Sequence, residues 1–197
     1  IWSEDEDGVE TDVWATGNGG FEISNSSAKP YEYPTIPLDN SLDGKGVRLV
    51  TRATGPLAVM LDKRIAAGNL FLGEFSIGDA LQEPLQATHF GRPFDKRPKQ
   101  FTGYYRYTPG AKFQNQDGSY VDGKQDTPSI YAILYRNHDD QGHAVTLNGE
   151  NVQTSPLIVA RAIATDLPAT TEWRQFQVNF TFDKDIDLDL LENRGYS

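Results

Sequence analysis

Two stretches of the sequence place aromatic rings beside side chains that form paired hydrogen bonds. On a β-strand, residues two apart point to the same face. The residues at such alternate positions are Thr102, Tyr104 and Arg106 in one stretch, and Trp173, Gln175, Gln177 and Asn179 in the other. A flat ring covers the apolar C–H face of a sugar, while amides and guanidinium groups bind adjacent hydroxyls. This pattern is typical of a saccharide-binding surface, although tyrosines that cap a core beside a surface arginine would give the same sequence.

Nine residues are predicted to bind carbohydrate. Trp173 and Tyr104 are the predicted stacking surfaces, and Trp14 is placed at the rim. The predicted hydrogen-bonding residues are Asn18, His89, Arg92, Arg97, Arg106 and Gln175. Cations and aromatic rings alternate in residues 89–99, directly before the strand that contains Tyr104.

An alternative hypothesis is a glycoside hydrolase or lyase. Such an enzyme needs two carboxyl groups about 5–10 Å apart across a cleft, one of them protonated near neutral pH. The candidates that flank aromatic or apolar strands are Asp62, Glu74, Asp126 and Glu172. Because the chain has 28 acidic residues, their presence alone assigns no catalytic residue. A structural scaffold domain with an exposed apolar patch is a third possibility.

Other catalytic, metal and cofactor motifs are absent from the sequence. There is no G-x-S-x-G elbow, H-E-x-x-H pair or phosphate-binding G-x-x-x-x-G-K-[ST] loop. His138 and His143 fall in a polar stretch that favours a solvated hairpin loop over a metal site. Alternate aspartates from Asp183 to Asp189 indicate either a bound cation or a solvated loop, and the loop is favoured. No metal and no cofactor are predicted.

Composition excludes several further classes of protein. The 197 residues carry a formal net charge of −10, which argues against a nucleic-acid or anionic-membrane surface, because both require clustered cations. The absence of cysteine excludes disulfides, thiolate zinc sites and a cysteine nucleophile. No apolar run approaches the ~18 residues that a membrane-spanning helix needs.

Short alternating segments bounded by turn residues predict an all-β fold. The predicted strands cover residues 47–51, 101–108, 129–136, 157–163 and 173–182. In the last of them, Phe176, Val178, Phe180 and Phe182 are expected to share one face. Residues 57–67 are the best candidate for a helix, and the sequence leaves open whether one forms. Many short strands favour a β-sandwich, with a jelly roll ahead of an immunoglobulin-like domain.

Several motifs together resemble one known family. They are WATGN at 14–18, GNLFLGEF at 68–75, THFGRPF at 88–94 with RPK at 97–99, FTGYYRYTPG at 101–110, Asp126 with SIYAILY at 129–135, and EWRQF at 172–176. In this order they resemble the putative carbohydrate metabolism domain (PCMD) of gut Gram-negative anaerobes. The resemblance covers residues 14–197.

The resemblance implies a jelly-roll sandwich like that of carbohydrate-binding modules. It also implies a lipoprotein at the outer-membrane surface or in the periplasm, which takes part in glycan utilisation. The implied partners are an oligosaccharide or polysaccharide and other glycan-utilisation lipoproteins. Residues 1–197 are expected to form a single domain. Since the family usually continues past the position of Tyr196, that domain is expected to lack its final strands or to be clipped.

Overall fold

The computed structural model describes residues 14–80, 82–115 and 117–197, together with the backbone of two short strands before them. By its internal contacts the chain divides into two compact units. The first comprises Ile1–Arg92 and Leu147–Asn151, and the second comprises Pro93–Thr146 and Val152–Ser197. The single domain expected from the sequence stays a prediction.

The first unit consists of short strands and two short α-helices. Its strands are β1 (Ser3–Glu4), β2 (Glu10–Thr11), β3 (Trp14–Ala15), β4 (Thr35–Leu38), β5 (Gly46–Leu49), β6 (Arg52–Ala53), β7 (Ile65–Ala66), β8 (Phe71–Phe75) and β9 (Thr88–Phe90). Its helices are α1 (Asn18–Ser24), a 3₁₀ turn (Pro30–Glu32) and α2 (Pro56–Met60). Proline at the first position of α2 suits a helix start, because its missing N–H has no partner there in any case.

A three-stranded antiparallel sheet in the order β3-β8-β9 carries three functional candidates of the first unit, Trp14, Glu74 and His89. The other pairs, β1-β2, β4-β5 and β6-β7, are antiparallel hairpins. On the inner side of the sheet, Phe71 is buried and its ring meets that of Phe90 edge-on at 5.2 Å. Leu147, 1% exposed, pairs with Phe90 through an isolated bridge and adds to this core.

The second unit contains the longer strands. Its elements are β10 (Gln100–Tyr107), β11 (Phe113–Gln114), β12 (Tyr120–Val121), β13 (Ile130–Tyr135), β14 (Ile158–Ala164), β15 (Thr170–Asn179), β16 (Thr181–Phe182) and α3 (Leu188–Glu192). All pairings are antiparallel: β10 with β15, β11 with β12, and β13-β14-β16 as a three-stranded sheet.

The core of the second unit forms around β14 and the end of the chain. One cluster of buried side chains consists of Leu134, Val159, Ala160, Leu191 and Tyr196. Partly buried Phe180 and Phe182 pack against this cluster. The hydroxyl of Tyr196 accepts a hydrogen bond from the backbone N–H of Asp187, the residue directly before α3. The last residue pairs with the end of β13 through two backbone hydrogen bonds of 2.9 and 3.0 Å.

The predicted all-β class is confirmed, since all described sheets are antiparallel and the helices are short. Each predicted strand corresponds to an observed one, with ends shifted by up to three residues. The exception is the stretch 173–182, which was expected to be one strand. It breaks at Phe180, whose N–H donates to the Lys99 carbonyl, and β16 then pairs with β14 instead of β10. Residues 57–67 form the short helix α2 and then the strand β7.

None of the helices in the described ranges is long and apolar enough to cross a membrane.

Candidate functional site

The solvent-facing side of the β10-β15 pair brings together four of the predicted binding residues. Tyr104 lies directly opposite Gln175 in the register of the two strands. Residues at alternate positions on either side of this pair share its face, which is called here the β10–β15 face. Its eight members are Gln100, Thr102, Tyr104, Arg106, Trp173, Gln175, Gln177 and Asn179. All are exposed except Trp173, which is half-buried.

A bulge in β15 places Trp173 beneath Arg106. Tyr105 pairs with Arg174 and Tyr107 pairs with Thr170, so β15 has three residues between these pairs where β10 has one. Bulges of this kind redirect side chains and are common beside functional sites. The guanidinium of Arg106 consequently lies over the Trp173 ring, 4.5 Å from its centroid. One face of Trp173 is thus covered, and Tyr104, 53% exposed, is the open ring on this surface.

The opposite side of the same strands supports the face rigidly. The rings of Phe101 and Phe176 meet edge-on at 5.1 Å, and Gly103 leaves room for them. A Cβ at Gly103 would lie 2.6 Å from the Phe176 ring. Tyr105 is buried, and its hydroxyl donates to the Pro168 carbonyl at 3.3 Å. This packing fixes the backbone that presents Tyr104 and its neighbours.

Tyr107 anchors the far end of β10. Its hydroxyl donates to the backbone carbonyl of Asp126 at 2.5 Å. Burial of the phenol, with a further contribution from the Asp126 carboxylate, raises the pKa of Tyr107 above its ordinary value. The hydroxyl therefore stays protonated, as this hydrogen bond requires.

Hydrogen-bonding capacity runs the length of the β10–β15 face. At one end, the Gln100 amide donates to the Asn179 amide oxygen across the strands at 3.0 Å. Thr102 and Gln177 form the next cross-strand pair, followed by Tyr104 and Gln175. The face thus combines an open ring with amide, hydroxyl and guanidinium groups, and none of its eight members is a carboxylate. This arrangement suits a polyhydroxylated ligand that also has an apolar side.

Arg97 has a different environment in the second unit. Its guanidinium lies over the Phe182 ring of β16, 4.7 Å from the centroid. Among the described residues, no hydrogen bond or ring contact joins Arg97 to the β10–β15 face.

Three other predicted binding residues meet on the outer side of the β3-β8-β9 sheet. Trp14 is the cross-strand partner of Leu72, and Glu74 is that of His89. These four side chains share one face, because Leu72 and Glu74 are alternate residues of β8. Arg92 donates to the Glu74 carboxylate at 3.1 Å and also to the Gly73 carbonyl at 3.1 Å. The result is a second, smaller surface with one indole and one ion pair.

Asn18 serves the first unit's own backbone. Its amide N–H donates to the Thr35 carbonyl at 2.7 Å, and its amide oxygen accepts from the Thr35 N–H at 3.1 Å. The buried Thr35 hydroxyl in turn bonds both backbone groups of Asn69, whose side chain accepts from the Gly17 N–H. Asn18 thereby ties the start of α1 to β4.

The four candidate carboxylates are all exposed. Asp62 and Glu74, with side chains 73% and 69% exposed, form ion pairs with Arg64 and Arg92. Asp126 and Glu172 in the second unit are exposed as well. A glycosidase acid is normally kept protonated by an apolar setting, and none of these four side chains has one.

The polar loops that raised the question of a metal have internal partners. Asp139 closes the 137–143 hairpin by accepting from the Gln141 and His143 N–H groups, and its other oxygen lies 3.0 Å from the His143 ring. Asp187 caps α3, and Asp183 forms an ion pair with Arg161. Within residues 14–80, 82–115 and 117–197, no group of three or more histidine or acidic side chains could hold a metal ion.

Sequence reasoning missed some residues of these surfaces. Gln100 belongs to the β10–β15 face because β10 begins one residue earlier than predicted, and extending the alternation by one step would have found it. Leu72 flanks Trp14 only through the pairing of β3 with β8. The Thr35 and Asn69 network has no local sequence signal, since its members are 34 residues apart.

Comparison with known proteins agrees with this picture of an all-β chain. A solved structure from Bacteroides thetaiotaomicron VPI-5482, described as "a putative glycoside hydrolase", is 39% identical with a TM-score of 0.91, and the match covers 98% of this chain and 56% of that one. A structure from Bacteroides vulgatus ATCC 8482 with the same description is 35% identical with a TM-score of 0.88, covering 99% and 77%. The chain therefore spans about half the length of the first relative.

No curated protein matches the sequence. The model of a family described as "Putative carbohydrate metabolism domain" (PCMD) matches residues 1–197, as the motifs predicted. The chain belongs to this carbohydrate metabolism domain family.

Proposed function

We propose that this chain is a glycan-binding module whose binding surface is the β10–β15 face. The observation that carries the proposal is the pairing of the open Tyr104 ring with Gln175, inside a row of amides and hydroxyls. A saccharide presents an apolar ring face and a rim of hydroxyls. Tyr104 offers the matching apolar surface, and the flanking amides both donate and accept hydrogen bonds.

Preorganisation supports the same proposal. The backbone beneath Tyr104 is fixed by the Phe101 and Phe176 rings and by buried Tyr105. Tyrosine loses little conformational freedom when it is held in place, because it has only two side-chain torsions. Binding therefore costs little ordering entropy at Tyr104, which favours affinity for a ligand that stacks on this ring.

The test is calorimetric titration of the intact chain with a panel of neutral and acidic oligosaccharides. The double variant Gln175→Ala/Gln177→Ala should weaken binding by roughly tenfold or more, because each amide contributes about 0.5–1.5 kcal/mol per hydrogen bond. Gln125→Ala is the matched control, since Gln125 is exposed and lies outside the face. No measurable saccharide binding, or equal affinity of the double variant and wild type, contradicts the proposal.

A second candidate function is glycoside hydrolysis. It is favoured by the description of both solved relatives as "a putative glycoside hydrolase". The measurement is the release of new reducing ends from the same glycan panel, with Asp62→Asn, Glu74→Gln, Asp126→Asn and Glu172→Gln as variants. If the chain cleaves a glycan and any one of these substitutions abolishes the cleavage, the chain is a glycoside hydrolase and the binding-only function is wrong.

The cellular setting is a further proposal. A lipoprotein at the outer-membrane surface or in the periplasm, working beside other glycan-utilisation lipoproteins, suits a module that captures saccharides. Fractionation of cells that make the full protein, followed by metabolic lipid labelling, checks it. Recovery of an unlabelled protein in the cytoplasm would contradict it.

A further inference from the structure

Arg106 differs from most arginines of this chain in having no carboxylate partner among the described residues. It is exposed, and the contact that holds it is the Trp173 ring 4.5 Å away. The arginines that do form ion pairs with described carboxylates are Arg64, Arg92, Arg136, Arg161, Arg174 and Arg194. Among the described residues, Arg106 therefore forms no ion pair with a carboxylate.

The Trp173 ring holds the guanidinium of Arg106 over its face. An arginine that stacks flat on an aromatic ring keeps its N–H groups at the edge, free to bind in the plane. Thr170 holds the bulge beneath it, since its hydroxyl donates to the Glu172 carbonyl and accepts from the Glu172 N–H. Arg106 can therefore act as a two-pronged donor, and a carboxylate is a group that matches two parallel N–H donors.

The charge of the β10–β15 face also favours an anionic group at Arg106. The chain carries a net charge of −10, yet the eight members of the β10–β15 face include one cation and no anion. An anionic ligand is repelled by most of the surface and attracted at Arg106. The other end of the face, at Gln100 and Asn179, is neutral.

The length of the face indicates how much ligand it accommodates. From Gln100 to Arg106 the strand advances six residues, or ~20 Å at ~3.3 Å per residue. That distance exceeds one sugar ring several times over. An extended oligosaccharide lying along the strands would place neutral parts beside the Thr102 and Gln177 pair, one ring against Tyr104, and one ring beside Arg106.

We propose that the β10–β15 face binds an acidic oligosaccharide, with the carboxylate of a uronic acid residue paired to the Arg106 guanidinium at the Trp173 end. This inference rests on the proposed glycan-binding function and adds the class of ligand to it. The uronate carboxylate supplies the ion-pair partner that no described carboxylate of the chain gives Arg106.

The experiment compares each acidic ligand with its own neutral form. Oligogalacturonate, oligoglucuronate and oligomannuronate are titrated by calorimetry beside their methyl esters, which keep the rings and remove the negative charge. At least one acid form should bind at least tenfold more tightly than its ester. Arg106→Gln should lower affinity for that acid form ~10- to 100-fold, the usual range for hydrogen bonds to a charged group, and should lower affinity for the ester less, so that the preference for the acid is lost.

Two further variants separate the contributions. Arg174→Gln is the matched control, because Arg174 is an arginine of the paired strand β15 that forms an ion pair with Asp166, and it should keep the preference for the acid. Arg106→Lys keeps the charge without the planar fork and should restore only part of the preference.

The failure of this inference is distinct from the failure of the proposed function. Two outcomes make the uronate inference wrong while neutral oligosaccharides still bind and the glycan-binding function stands. In the first, no acid form binds better than its ester, and in the second, Arg106→Gln keeps the preference for the acid. If neither acidic, esterified nor neutral oligosaccharides bind, both are wrong.

Discussion

Replacing Tyr104 by alanine tests the stacking surface directly. Tyr104 is 53% exposed, so of a ring surface of about 200 Å², ~100 Å² is open to solvent. A sugar that covers one side of the ring removes ~50 Å² of this from water and a similar area of its own, about 100 Å² together. At ~25 cal/mol per Å² the contact is worth ~2.5 kcal/mol, or ~1.3 kcal/mol if only the ring is counted.

The expected result is therefore a rise in Kd of about 8- to 60-fold for Tyr104→Ala, at 1.4 kcal/mol per tenfold change. Calorimetry at 25 °C with the tightest oligosaccharide for the wild type gives the number. Tyr104→Phe keeps the ring and loses one neutral hydrogen bond at most, so it should weaken binding less than alanine does. Tyr31→Ala is the control, because Tyr31 is 62% exposed and belongs to the first unit.

Near-equal affinity of Tyr104→Ala and wild type would refute this reasoning, provided that the variant keeps the wild-type melting temperature and circular dichroism. Equal losses in Tyr104→Ala and Tyr31→Ala would refute it as well, since they would place the effect outside the face. A large loss of affinity in Tyr104→Phe would show that the hydroxyl, and not the ring, makes the main contribution to binding.

Three further predictions concern stability. Gly73→Ala should lower the free energy of unfolding by more than ~2 kcal/mol in urea titration, because φ is +142° there and a Cβ would lie 1.9 Å from the His89 carbonyl oxygen; wild-type stability would contradict the assigned backbone. Asn18→Ala should cost about 1–3 kcal/mol by the same assay, since it leaves buried backbone groups without partners; a change near zero would show that this bridge is not formed. Backbone N–H donation, chiefly from His143, lowers the pKa of Asp139. The contribution of this carboxylate to stability is therefore present above the ordinary carboxyl pKa and is lost as the pH falls through the lowered pKa. In an NMR titration the Asp139 carboxyl should titrate below the ordinary value of 3.8, and titration at or above that value would contradict the prediction.

Alternation of residue types was sufficient to predict which side chains share a face within β10 and within β15, but not that the two faces adjoin. Thr102, Tyr104 and Arg106 had to lie on one side of β10, and Trp173 and Gln175 on one side of β15, whatever the partner strand was. The signal is local and repeats every second residue, so a single strand carries it. That is why these positions could be found without knowing that β10 and β15 are neighbours.

Contacts that depend on register could not be predicted in the same way. The stack of Arg106 on Trp173 joins residues far apart in the chain and requires a bulge that the sequence does not mark. The same bulge explains why Trp173, predicted as a stacking surface, has one face covered while Tyr104 has an open ring. The contact of Asn18 could not be predicted either. The sequence shows a polar side chain near a helix start, and only the position of β4 in the fold determines that this amide bonds Thr35.

The two candidate functions require different surroundings for their key side chains. Hydrolysis needs a protonated acid held out of water opposite a second carboxylate, whereas Asp62 and Glu74 lie in solvent against arginines. Binding needs a fixed apolar ring with hydrogen-bonding groups at its edges, and buried aromatic packing holds Tyr104 in that arrangement. Binding to such a face changes with the side chains of β10 and β15, whereas hydrolysis would depend on a pair of carboxylates. For that reason the amide and ring substitutions on the face and the carboxylate substitutions elsewhere give opposite patterns under the two hypotheses.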